Sequence, residues 1–112
     1  MFLGLAVDLH ACLIGLVNAG QETTGCLLAN GLLRLLQFPE VMESLRARPE
    51  WVPTAIEEML RYDTPSQLFE RTATQDVDVA GVTVQEGQKI AALLGSANRD
   101  PDVFADADSF DV

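Results

Sequence analysis

Ala19-Gly20-Gln21-Glu22-Thr23-Thr24 is the stretch on which the reading of this chain turns. It lies inside a long apolar segment with helical spacing. A glycine in mid-helix costs roughly 0.5–1 kcal/mol relative to alanine, so it needs an offsetting reason. Ala19 and Gly20 leave room beside the helix for something flat or bulky. Thr23 can turn its hydroxyl back to the Ala19 carbonyl four residues earlier, a contact that bends or widens a helix locally. Glu22 adds a titratable acid at the same turn. Small residues, a loosened turn, a hydroxyl and an acid together suit an oxygen-binding notch with a proton supply. On the residues alone, a close helix crossing with two incidental threonines remains open.

Outward from this stretch, the spacing predicts a helix over 8–37. Leu9, Leu13, Leu16, Gly20, Thr23, Leu27 and Gly31 recur at three- and four-residue steps and share one face. The opposite face is apolar too, with Ala11, Ile14, Gly15 and Ala29. Such a helix expects burial within a large protein. At about 1.5 Å per residue it would be about 45 Å long, more than so short a chain can surround. The segment therefore reads as part of something larger. Pro39 opens a second predicted helix over 39–48, Pro49 closes it, and a third spans 52–62 with Val52, Ala55, Ile56 and Met59 as its apolar face. Thr64-Pro65 ends the third helix.

The period then changes to two, and short strands are expected across 68–95. Arg71–Thr74 and Val77–Val79 read as strands, Gly81 as a hairpin turn before Val82–Val84, and Glu86-Gly87 as a turn into Lys89–Leu94. Asp100-Pro101 looks like the N-cap and first residue of a short helix, so 96–112 is expected as short helix and loop. The predicted fold class is mainly α with a small antiparallel β-sheet.

The 112 residues carry 17 acidic and 7 basic side chains, a formal net charge of -10. A surface of that sign repels nucleic-acid phosphates and anionic lipid headgroups, so neither nucleic acid nor membrane is an expected partner. Cys12 and Cys26 lie fourteen apart, without a CxxC or a histidine pair, and His10 has no ligand pattern. No metal site is expected, and the cysteines read as buried, reduced thiols. Met1–Val7 has no basic region or cleavage site, and the apolar run Ala11–Val17 is too short to span a bilayer. The expected location is cytoplasmic.

Two charged patterns remain. Arg61 stands three residues after Glu58 and four after Glu57, so either can pair with it; both choices lie away from the apolar face, which predicts an exposed pair. Arg71 opens a strand with a guanidinium shaped for a carboxylate, and Glu70 or Asp76 offers one nearby.

Taken in order, these elements resemble the cytochrome P450 family. Ala19–Thr24 is similar to its A/G-G-x-D/E-T-T motif, and Glu58-Met59-Leu60-Arg61 to its E-x-x-R. Phe69–Gly87 resembles the R-x-A/T…D…G-x-x-I/V-x-x-G segment, and Ala97–Val112 the "ANRDP…F…P…FD" segment. The resemblance covers the whole chain and implies a partial cytochrome P450 fold. It implies Thr23 in dioxygen handling and proton relay, and Glu22 as the acid feeding it. It further implies Ala19, Gly20, Thr23, Thr24 and Arg71 in contact with haem b, Arg71 at a propionate. Glu58 and Arg61 become a buried structural ion pair, and Leu16, Ser66, Gln67 and Leu68 line the substrate pocket. The family's iron ligand is a cysteine in a glycine-rich F-x-x-G-x-x-x-C-x-G loop, a context neither Cys12 nor Cys26 has, so that loop is expected beyond Val112. The thiolate pushes electron density that favours O–O cleavage, so the segment alone is expected to be inactive. The implied reaction is oxidation of an apolar small molecule by O2, with electrons from a ferredoxin-type donor. The contrasting reading is a non-catalytic helical interaction module or a decayed remnant. A reading frame continuing past Val112 into such a loop separates the two.

Overall fold

The computed structural model describes residues 2–112, with side chains from Asp8 onward. The reading of Met1–Val7 as free of a targeting signal concerns side chains outside those described. Two compact units are present: the chain through Pro65 together with Phe110–Val112, and Ser66–Ser109.

The first unit is helical. Helix α1 runs Phe2–Gln37, starting earlier than the predicted residue 8 because no breaker interrupts the apolar residues before it. Phe38 leaves helical geometry (φ -119°, ψ 73°) ahead of Pro39, and α2 spans Pro39–Ala47. A single 3-10 turn, Pro49–Trp51, leads into α3, Val52–Tyr62. The last two turns of α1 pack on α2 and α3. Gly31 is buried at the crossing with α3, where an added Cβ would stand 2.5 Å from the Met59 Sδ. Close approach is thus the reason for a glycine here. Gly31→Val is expected to cost about 1–3 kcal/mol by overpacking, read as a lowered unfolding midpoint. An unchanged midpoint would mean that Met59 moves aside freely.

Ala55 and Phe110 are the buried apolar residues among those described. The Phe110 ring packs on Phe38 and Tyr62, with centroids 5.5 and 5.3 Å away. This cluster anchors the last three residues to the helices. By contrast, every residue from Asp8 to Ala29 except Leu27 is exposed. The expectation that a chain of this size leaves α1 largely uncovered therefore holds. It also corrects the reading of the cysteines: Cys12 and Cys26 are exposed, because among the described residues nothing packs along that part of α1 in these 112 residues.

The second unit holds the strands. β1 (Phe69–Thr72) pairs antiparallel with β4 (Lys89–Ala92), matching Arg71 with Ile90. β2 (Val77–Val79) pairs antiparallel with β3 (Val82–Val84). The antiparallel structure is thus two short ladders. Ala80 and Gly81 join β2 to β3 with φ of 52° and 80°, the signature of a two-residue type I′ turn. The Gly81 amide donates to the Asp78 carboxylate at 3.1 Å. Asparagine tolerates positive φ better than alanine, so Ala80→Asn is expected to stabilise this hairpin by roughly 0.5–1 kcal/mol. Greater amide protection across Val77–Val84 would check it, and reduced protection would contradict it.

Besides the start of α1, β1 lies two residues earlier than the expected Arg71–Thr74, and the segment after β4 differs too. The short helix, α4, occupies Leu94–Ala97, where strand was expected to continue. Asp100–Val103 forms turns rather than a helix. There the Asp100 carboxylate accepts from the Asp102 amide at 3.0 Å, and its carbonyl accepts from the Val103 and Phe104 amides. This side-chain turn competes with helix propagation, so Asp100 ends a single turn instead of capping a helix.

Candidate functional site

The Ala19–Thr24 turn lies within α1, two helical turns before the crossing at Gly31. The Thr23 hydroxyl donates to the Ala19 carbonyl at 2.6 Å. That bond ties the Thr23 Oγ1 to the helix backbone. A Cβ added at Gly20 would meet nothing within 4 Å, so the space beside Thr23 is open. Glu22 is exposed and lines a shallow depression with Val17, Asn18 and Gln21. Thr24 is exposed, and Leu16 is 71% exposed on the preceding turn. The turn therefore offers a hydroxyl, an acid and an apolar surface with no bulk between them.

On α3, Arg61 pairs with Glu58 and not Glu57. Its Nε and a terminal nitrogen meet the two Glu58 oxygens at 2.6 and 2.7 Å, a two-pronged contact. Glu58 also accepts from the Asp111 backbone amide at 3.0 Å. Each side chain is only 12% exposed. The helical angle alone suggested an exposed pair; the Tyr62–Phe110 packing and the segment through Asp111 account for the burial. Asp111 was missing from the sequence reading, since a contact 53 residues distant has no local signal.

Also missing was the contact between α1 and the end of α3. Arg34 donates through Nε (3.1 Å) and a terminal nitrogen (2.9 Å) to one Asp63 oxygen, and Asn30 donates to the Asp63 carbonyl at 3.2 Å. Conventional helix-face reading assigns Arg34 to the last turn of α1 but does not name its partner on another helix.

In the second unit, Arg71 is exposed on β1. It donates to the Glu70 carbonyl at 2.9 Å and stacks on the Phe69 ring, 5.3 Å from its centroid. Among the described residues it joins no ion pair with a carboxylate. Glu70 instead pairs with Lys89 at 2.7 Å. Gln67 and Leu68 are exposed and Ser66 half-buried, just before β1. The Gln67 carbonyl accepts from the Gly95 amide at 3.3 Å, and its carboxamide occupies the space a Gly95 side chain would need. Among the described residues no group of three or more His, Cys, Asp and Glu side chains is arranged to hold a metal ion. None of the described helices is long and apolar enough to cross a membrane.

The sequence profile of the family described as Cytochrome P450 matches residues 50–112. The biotin biosynthesis cytochrome P450 of Bacillus subtilis (strain 168) is 47% identical over 97 residues, covering 87% of this chain and 25% of that protein. The crystal structure of P450BioI in complex with hexadec-9Z-enoic acid ligated acyl carrier protein superposes with a TM-score of 0.77 at 48% identity. It covers 83% of this chain and 24% of that one. The structure of CYP109E1 from Bacillus megaterium in complex with testosterone gives a TM-score of 0.81 at 37% identity, over 88% of this chain and 27% of that one. The chain belongs to the cytochrome P450 family. It spans about a quarter of the length of the relatives it matches.

Membership implies haem as the cofactor. Taken unit by unit, the residues present are of a chemistry that suits a haem: the first unit has the back-bonded Thr23 hydroxyl on a helix surface left open at Gly15, Gly20 and Gly25 alike, and the second has the exposed Arg71 guanidinium, without a carboxylate partner among the described residues. They do not furnish an iron ligand of the family's type, since Cys12 and Cys26 both lie along α1, outside any glycine-rich loop.

Proposed function

We propose that the 112 residues are a partial cytochrome P450 domain, the oxygen-handling segment of a haem-thiolate monooxygenase that oxidises an apolar small molecule with O2. The observation that carries the reading is the 2.6 Å back-bond from Thr23 to Ala19 beside the open surface at Gly20. Haem, when bound, supplies a redox-active iron at which dioxygen is activated.

The chain's own residues then divide the work. Thr23 keeps one hydroxyl oxygen at a fixed place, where it can accept a hydrogen bond while its own proton lies on the Ala19 carbonyl, and passes a proton outward when that back-bond opens. Glu22, exposed to water one residue away, replenishes that proton. Ala19 and Gly20 keep the helix surface free of bulk, and Thr24 adds a second hydroxyl at the same turn. Arg71 would neutralise a propionate, a task suited to a guanidinium that pairs with no carboxylate among the described residues. Glu58 and Arg61 hold α3 in a single arrangement beneath the aromatic cluster. Leu16 and, in the other unit, Ser66, Gln67 and Leu68 contact substrate.

The complete protein is proposed to take electrons from a ferredoxin-type donor and to work in the cytoplasm, with haem b as its cofactor. The 112 residues alone are proposed to be inactive, because the thiolate ligand belongs to a loop outside them. An apolar substrate accords with two of the relatives' structures, one holding a long acyl chain on a carrier protein and one holding testosterone. Titrating the complete haem-loaded protein with a long-chain fatty acid and with a steroid tests the substrate class. A shift of the haem absorption with either, followed by one labelled atom from 18O2 in the product, is the expected result. Shifts only with charged, hydrophilic compounds would overturn the apolar assignment.

A further inference from the structure

Gly95 is the second residue of α4, and nothing in its own backbone asks for a glycine: among the described residues the glycines with positive φ are Gly81 and Gly87. The reason lies in a neighbour. A Cβ added at Gly95 would overlap the Gln67 Oε1 and stand 3.2 Å from the Gln67 Cδ. The Gln67 carboxamide is thus seated on the bare Cα of Gly95. The main chains meet at the same place, where the Gly95 amide donates to the Gln67 carbonyl at 3.3 Å.

This contact continues the β1–β4 ladder. The outermost pair there is Phe69 with Ala92, and the chain beyond it on either side leads to Gln67 and to Gly95. The start of α4 is itself tied down, with the Ala97 and Asn98 amides donating to the Leu93 and Leu94 carbonyls at 3.0 and 2.9 Å. All of these bonds lie within the one compact unit Ser66–Ser109. Residue 67 is therefore held through both its main chain and its side chain. Ser66 and Leu68, bonded to it on either side, take their places from it.

We propose that Gly95 is a positioning residue for substrate specificity: its missing side chain seats the Gln67 carboxamide and so sets where Ser66 and Leu68 stand against substrate. The inference rests on the reading of Ser66–Leu68 as substrate contacts. Gly95 itself touches no reacting atom. The atoms that a methyl group there would meet belong to the end of a flexible side chain. The carboxamide can swing to another rotamer, so α4 need not unfold. Alanine also has a higher helix propensity than glycine, which offsets the cost of that movement. Substitution at Gly95 therefore separates the shape of the pocket from the stability of the fold.

The test uses the complete haem-loaded protein and the variants Gly95→Ala, Gln67→Ala, Leu68→Ala and the double variant Gln67→Ala/Gly95→Ala. Two probes bind haem iron through an imidazole nitrogen: imidazole itself, and dodecylimidazole, whose apolar tail has to lie in the substrate pocket. Their dissociation constants are read from the haem absorption, and the Gln67 side-chain amide signal from 15N-labelled protein in the reduced CO form. Gly95→Ala should move that signal and weaken dodecylimidazole by roughly tenfold, the scale of one methylene's contact in an apolar pocket. Imidazole affinity and the melting temperature should stay at the parent's values. Gln67→Ala should weaken dodecylimidazole to a similar degree, and the double variant should go no further than either, as one shared interaction requires. Equal losses for both probes in Gly95→Ala would overturn the proposal, as would additive losses in the double variant. So would an unchanged preference for the tailed probe in Gly95→Ala where Leu68→Ala lowers it. Leu68→Ala with an unaltered preference would instead count against the pocket reading, and the Gln67 signal would still judge the seating.

Discussion

Thr23→Ala in the complete P450-length protein is expected to separate oxygen consumption from product formation. The substitution removes the one hydroxyl held at 2.6 Å on the Ala19 carbonyl and leaves a methyl group in its place. The helix itself should tolerate it, since alanine has the highest helix propensity. A melting temperature equal to the parent's then shows that the loss of function reports on chemistry and not on folding. A positioned proton-transfer group contributes about 10²–10⁴-fold, so product formed per electron should fall by at least about tenfold while peroxide rises. Thr23→Ser keeps the hydroxyl and should retain most of the coupling. Peroxide and product measured against reductant consumed decide the matter; unchanged coupling in Thr23→Ala would remove Thr23 from the mechanism.

Breaking the Glu58–Arg61 pair should have the largest effect on stability. Glu58→Ala strands the Arg61 guanidinium with side-chain exposure of 12% and also orphans the Asp111 amide. Removing one partner of a buried pair costs about 3–5 kcal/mol, far more than the few tenths for an exposed pair. A loss of that size is a large fraction of a domain's net stability, so poor folding and poor haem retention are expected. Replacing both residues together by apolar ones of similar volume, Glu58→Leu/Arg61→Met, should cost less than Glu58→Ala alone. Thermal midpoints and haem content distinguish these outcomes. A midpoint for Glu58→Ala within a degree of the parent would mean the pair is effectively solvated.

The elements that the sequence expressed well were those whose signal is local. Phe38-Pro39, Pro49 and Thr64-Pro65 punctuate the three helices, and Gly81 marks the hairpin, because each acts through its own backbone geometry. The Thr23 back-bond is a contact between residues four apart and was equally readable. What escaped was non-local. Arg34–Asp63 and Glu58–Asp111 join residues 29 and 53 positions apart, and the spacing along one helix names no partner on another segment. The burial of Glu58 and Arg61 is implied by the family resemblance and not by the helical spacing, because it depends on Phe110 arriving from the far end of the chain. At Asp100 the local signal itself was ambiguous, since an aspartate before proline serves an N-cap and a side-chain turn alike. Cys12 and Cys26 were misjudged because burial follows from what covers a helix, and their part of α1 is uncovered.

One spectrum tests the placement of these residues most directly, the absorption of the reduced, CO-treated protein. The complete P450-length protein is predicted to give the long-wavelength band of thiolate-ligated haem, and the 112 residues mixed with haem are predicted to lack it. A complete protein without that band, or an isolated segment that displays it, would contradict the assignment of these residues as the oxygen-handling part of a site whose iron is held elsewhere.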